Sequence, residues 1–214
     1  MFTGIITALG TVVSCKAKNT LENAGQEVTV SVSSAWLGDV NMGDSIAVSG
    51  ACMTVAGKGS DRFSFDISPE SLRLTCGLDR VGGLVNLEKA MAANDRFGGH
   101  MVSGHVDGLG EVVNFDTVGS DWKLLRVRAP AALGRYLAYK GSVVVNGVSL
   151  TVNRVHDDMH GCNIDIQLIP HTLQHTNLHT LAVGAQVNLE VDLVARYLER
   201  MLTSHGVLSV VRAG

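Results

Sequence analysis

The chain has 214 residues, 46% of them hydrophobic and 17% charged, with 24 Gly, 3 Pro and a formal charge of −3. That is enough apolar material for a full core, and without a run of Lys or Arg the electrostatic footprint of a nucleic-acid binder is missing. The longest stretch free of Asp, Glu, Lys and Arg, Ile166 to Leu189, carries Pro170 and three His, which argues against a membrane span.

The first residues, MFTGIITALGTVV, have neither the positive start nor the small-residue cleavage site of a secretory signal. Cysteines stand singly at 15, 52, 76 and 162 with no CxxC pair. Both features lead to the expectation of a cytoplasmic protein in a reducing compartment.

Read in chain order, the sequence repeats itself. Phe2 to Val13 (FTGIITALGTVV) returns as Val102 to Val113 (VSGHVDGLGEVV), GACMTV at 50–55 as GVSLTV at 147–152, and VNLE at 85–88 as VNLE at 187–190. These blocks share 12 identities in 22 aligned positions, where about one or two would arise from average composition. A weaker block pairs FDISPESL (65–72) with IQLIPHTL (166–173). Between the blocks, period-2 runs such as Val28 to Val32 and Val143 to Val145 predict short antiparallel strands. Pro69 and Pro170 are each placed to start a short helical turn.

A repeat of about 95 residues with some six short strands suits a small closed barrel. The fold class expected is therefore all-β, with an N-terminal barrel over 1–96, a C-terminal barrel over 97–192, and a helix and tail over 193–214. In that helix Val194, Tyr197, Leu198, Met201 and Leu202 form one apolar stripe, and Gly206 is placed to end it. The stripe either packs back on its own barrel or joins copies of the chain.

Repeats that only bound two identical ligands would keep the same pocket residues, so mismatches between them are informative. Ile5 pairs with His105, Cys52 with Ser149, Ala90 with Asp192, and Gly43 with Lys140. His105 lies in the glycine-rich run Gly99 to His105, where an imidazole can move a proton near neutral pH. Its ordinary alternative is a surface His in a turn. Cys52 lies in an apolar strand, where Cys is commonly a small hydrophobe, because no cationic neighbour is visible to activate the thiolate. Thr54 and Thr151 are twinned hydroxyls, although Thr is common in strands. His171, His175 and His179 would align on one helix as a metal face, but Pro170, the intervening Thr residues and the absence of a carboxylate weaken that reading.

The segments MFTGII, GACMTV, FGGHMVSGHVDG, YKGS, NGVSLTV, LIPHTL and VNLEVD together resemble the riboflavin synthase family of single-subunit, double-barrel enzymes. The resemblance implies two six-stranded Greek-key barrels and a dismutation of two 6,7-dimethyl-8-ribityllumazine molecules without cofactor or metal. It also implies a homotrimer whose active site lies where the N-terminal barrel of one subunit meets the C-terminal barrel of its neighbour, with no nucleic-acid or membrane partner.

Carried over by position, the catalytic candidates are Cys52, His105, Ser149, Thr151 and Asp192. On one side the pocket walls would be Gly4, Ile5 and Ile6, then Cys52, Met53 and Thr54, and the stretch Asp66, Ile67, Ser68, Pro69, Glu70 and Ser71. On the other they would be Gly104, His105 and Val106, then Lys140, Ser149, Leu150 and Thr151, and the stretch Ile169, Pro170, His171, Thr172, Leu173 and Gln174. Many relatives carry a second Cys where this chain has Ala51. His105 with Thr151 suits the base that removes a proton from the acidic C7 methyl; Cys52, or a water held by Ser149 and Asp192, suits the nucleophile that adds to the acceptor. The residues do not decide between these assignments. In this reading Cys52 meets His105, Ser149 and Asp192 more easily between chains than within one. The alternative the family offers is a non-catalytic lumazine- or flavin-binding antenna protein.

Overall fold

Alternating apolar and polar residues set the strands, and the buried half of each alternation builds the cores. The computed structural model describes residues 1–18 and 25–204. In the first half, β1 (Ala8–Ala17), β2 (Gln26–Ser31), β3 (Ser45–Val48), β4 (Ala51–Lys58), β5 (Arg62–Ile67) and β6 (Leu84–Lys89) close into a barrel of order β1-β2-β5-β4-β3-β6. Strands β3, β4 and β5 run as a meander and β6 returns beside β3, which is a Greek key. Strand β4 buries Ala51, Met53 and Val55 in the barrel and turns Cys52 and Thr54 outward.

The second half uses the same plan. Strands β7 (Gly108–Val118), β8 (Trp122–Ala129), β9 (Ser142–Val145), β10 (Val148–Thr151), β11 (Arg154–Asp158), β12 (Gly161–Leu168) and β13 (Gln186–Val191) form a curled sheet of order β10-β9-β13-β7-β8-β12-β11. Here the fourth strand is interrupted at Val152 and Asn153, so six strands become seven. Asn153 N–H still donates to Asp165 O at 2.7 Å, and the two ends of the sheet are pieces of one broken strand.

Short helices fill the connections: α1 (Ser34–Leu37), α2 (Pro69–Leu74), α3 (Ala131–Gly134) and α4 (Pro170–His175), with a 3-10 turn at Asn177–Thr180. As the proline positions predict, α2 and α4 each have Pro in the first turn. The last helix, α5 (Leu193–Ser204), docks on the second barrel by its polar side. Arg135 Nη1 donates to Glu199 Oε1 at 3.0 Å, and the Tyr136 hydroxyl donates to Glu199 Oε2 at 3.4 Å. Its apolar stripe does not pack back: Val194, Tyr197, Leu198 and Met201 are 55–64% exposed. Gly206 lies outside the described residues. Among the described residues no helix is long and apolar enough to cross a membrane.

The barrels join through a buried polar network that obeys the repeat. Asn86 accepts from Asn177 N–H at 2.7 Å and donates to Asn146 O at 2.8 Å; Asn188 accepts from Cys76 N–H at 2.8 Å and donates to Ser49 O at 2.9 Å. Buried amides left unpaired would each cost about 1–3 kcal/mol, so this reciprocal pairing fixes how the halves meet.

Candidate active site

Each barrel is entered by a short arm, and the arms are exchanged. Phe2 and Val102 pair as an antiparallel bridge, with N–H to O distances of 2.8 and 3.1 Å. Beyond the bridge the first arm reaches the second barrel, where Ser149 N–H donates to Gly4 O at 2.8 Å and Ile6 packs on the second core. The second arm reaches the first barrel, where Cys52 N–H donates to Gly104 O at 2.8 Å and Val106 packs on the first core. A Cβ on Gly104 would fall 2.8 Å from that of Cys52, and one on Gly4 would fall 2.6 Å from that of Ser149. Both glycines have positive φ, 76° and 78°, so the crossing requires glycine twice over.

One buried carboxylate clamps each arm. Glu88 accepts from Thr3 N–H at 2.7 Å, Thr3 Oγ1 at 2.8 Å and Gly4 N–H at 2.9 Å. Glu190 accepts from Ser103 N–H at 2.7 Å, Ser103 Oγ at 2.6 Å and Gly104 N–H at 3.0 Å. Burial raises both carboxyls above the ordinary glutamate range, against the lowering pull of those donors.

On the first barrel Cys52 and Thr54 therefore share an outer face with Gly104, His105 and Val106. The expectation that Cys52 meets His105 more easily between chains than within one is corrected: the exchanged arm brings their segments together within one chain. Met53 and Ile67, expected as pocket walls, are 5% and 1% exposed and belong to the barrel core. A strand alternates faces, and a motif read as a block cannot separate them. Their neighbours are outward: Asp66 pairs with Lys18, Ser68 Oγ caps α2 by accepting from Ser71 N–H at 3.1 Å, and Glu70 pairs with Arg73.

On the second barrel Ser149 and Thr151 stand where Cys52 and Thr54 stand on the first, beside Gly4, Ile5 and Ile6. Ser149 Oγ and His100 Nδ1 share a hydrogen bond of 2.7 Å. The other nitrogen, Nε2, is buried without a partner among the described residues. Burial lowers the His100 pKa, and the Asp192 carboxylate opposes that shift from nearby. Asp192 also caps α5, accepting from Val194 N–H at 2.9 Å. His100 is the residue that comparing the repeats could not find, because its counterpart would precede Met1.

Leu150 and Leu173 pack against the second core, whereas Lys140 is exposed with its ammonium 5.4 Å from the centre of the Tyr139 ring. His171 and His175 stack at 4.1 Å on α4. The backbone turns extended at Thr176 before His179, so the three imidazoles do not share one helix face.

Against known proteins, the lumazine binding domain family matches residues 3–90 and again 103–192. The chain is 43% identical over 203 residues to the riboflavin synthase of Photobacterium phosphoreum, covering 94% of this chain and 89% of that one. The chain belongs to the riboflavin synthase family. The family's Bacillus subtilis (strain 168) enzyme is 41% identical over 204 residues, with 94% and 90% covered. A more distant likeness is to LumP, solved in complex with 6,7-dimethyl-8-(1'-D-ribityl)lumazine: TM-score 0.76 at 26% identity, over 89% of this chain and 99% of that one. The two matched segments of the family begin at Thr3 and Ser103, the residues whose backbones Glu88 and Glu190 hold.

Proposed function

We propose that this chain is a riboflavin synthase that converts two 6,7-dimethyl-8-ribityllumazine molecules into riboflavin and 5-amino-6-ribitylaminouracil. The observation that carries the reading is the pair of twin outer faces with unlike groups. On one barrel Cys52 lies beneath the arm that carries His105, its N–H donating to Gly104 O; on the other Ser149 bonds His100 with Asp192 nearby. Two like substrates call for two like pockets, and a donor and an acceptor call for different chemistry in each. The two products together contain every atom of the two substrates, so a four-carbon unit moves without an external oxidant or group donor.

Holding the rings face to face contributes much of the rate through orientation. Within one chain the two sets sit on different barrels, so the reaction needs a pocket of one subunit to face the unlike pocket of another. The exposed stripe of α5 supports a homotrimer as that assembly. The free thiols of Cys15, Cys52, Cys76 and Cys162 support a cytoplasmic setting.

The test is to incubate the purified protein with the lumazine alone and follow riboflavin absorbance. Cys52→Ala and His105→Ala are expected to lower turnover far more than lumazine affinity. Tight binding of lumazine with no riboflavin formed favours the antenna reading instead.

A further inference from the structure

The arms are alike at their carboxylate clamps and differ three residues beyond each glycine. In the first arm Thr7 N–H donates to Leu87 O at 2.9 Å, and its hydroxyl accepts from Trp36 Nε1 at 3.0 Å. At the matching place in the second arm stands Asp107, whose N–H donates to Leu189 O at 2.8 Å. Its carboxylate does more: Oδ2 accepts from Val191 N–H at 2.8 Å and Oδ1 from Arg196 Nη2 at 2.6 Å. The Asp107 side chain is 10% exposed. Arg196 belongs to α5, four residues past Asp192. A single carboxylate thus ties the last strand and the last helix to the backbone two residues from His105. No ionic tie of this kind is possible at Thr7.

We infer that Asp107, through Arg196, is a positioning residue: it holds the His105 arm over Cys52 and makes that placement depend on the Asp107–Arg196 pair in the first turn of α5. The inference rests on the reading of Cys52 and His105 as one reacting pocket. Charge-assisted bonds between partly buried groups are short and directional, so they fix a segment as well as stabilise it. The second tie of α5, Glu199 to Arg135 and Tyr136, ends just past α3 and touches neither arm. It provides an internal comparison.

The test uses full-length Asp107→Asn, Arg196→Met, the double variant and Glu199→Gln. In Asp107→Asn an amide faces the guanidinium, and Arg196→Met keeps an apolar stem. Each is expected to lower kcat about tenfold, less than the roughly hundredfold that a misplacement of about 1 Å can cost. KM for the lumazine should change less than about twofold, with oligomeric state unchanged in sedimentation. The double variant should be no worse than either single one, since the pair acts as a unit, and Glu199→Gln should match the wild type.

Amide exchange over residues 101–107 should speed up in Asp107→Asn and Arg196→Met and stay unchanged in Glu199→Gln. Unaltered exchange in the first two overturns the inference, as does turnover lost only together with the oligomer, or an equal effect of Glu199→Gln. A wild-type protein that forms no riboflavin counts against the proposed reaction, while arm exchange still decides the role of Asp107.

Discussion

Gly50 and Gly147 meet backbone to backbone where the two barrels join. A Cβ on Gly50 would stand 2.9 Å from the Gly147 nitrogen, and one on Gly147 would stand 2.7 Å from the Gly50 nitrogen. Each is the second residue of a two-residue hairpin turn, with φ of 90° and 84° after Ser49 and Asn146 at 43° and 48°. Alanine at either place brings left-handed strain of about 1–2 kcal/mol and pushes the barrels apart as well. Gly43→Ala is the comparison, since its φ is 88° but nothing lies within 4 Å. Thermal unfolding should show Gly50→Ala and Gly147→Ala losing clearly more stability than Gly43→Ala; equal losses would mean that the contact carries no weight.

His100 makes stability depend on pH. Its folded pKa lies below its ordinary value because of burial, so the unfolded chain binds the proton more readily. The contribution is complete above the unfolded pKa of about 6.5 and is lost as pH falls through the lower folded value. Melting temperature should therefore fall more steeply from pH 7 to 5 in the wild type than in His100→Gln. Parallel curves would contradict this, and the comparison cancels the opposite trend of Glu88 and Glu190, which both proteins share.

Lys140 adopts a φ of 62° at the place where the first repeat has Gly43. A lysine held there costs about 1–2 kcal/mol, a strain retained where the side chain serves a purpose. Lys140→Gly is expected to be more stable by about 1 kcal/mol in urea unfolding and to bind lumazine more weakly in fluorescence titration. A variant that is more stable and binds as before would remove Lys140 from the substrate-binding set.

Residues 1–96 contain the whole first barrel but not Gly104 to Val106, the arm that covers its outer face. The same fragment has an arm, Gly4 to Ile6, that has lost Ser149. Because the arms are equivalent, a second copy can supply the missing one. The fragment is expected to bind riboflavin as a pair, with an affinity that rises with protein concentration in sedimentation. A monomer binding as tightly as the full chain would show that the exchanged arm is dispensable.

Much of this was legible in the residues. Gly4 with Gly104, Cys52 with Ser149, and the two VNLE runs revealed the duplication and the paired outer faces. The exchange of the arms was hidden, since a repeat reads the same whether an arm folds onto its own barrel or onto its twin; the bonds from Cys52 N–H to Gly104 O and from Ser149 N–H to Gly4 O distinguish them. The polar docking side of α5 was hidden too. Arg196 and Glu199 read as ordinary surface charges until Asp107 and Arg135 appear opposite them.

The exchanged arms also govern how the chain can fold. Two separate apolar cores would ordinarily melt as two units, yet here neither is finished alone. Thr3 must find Glu88, 85 residues on, and Ser49 must find Asn188 at a separation of 139. As the chain emerges from the ribosome, the first barrel waits with its outer wall open until the second half arrives to supply it. Strand β13, which carries both Asn188 and Glu190, is the last strand to emerge, and its contacts lock the junction and the second arm together. Unfolding is thereby expected to be one cooperative event, with a single calorimetric peak for two cores.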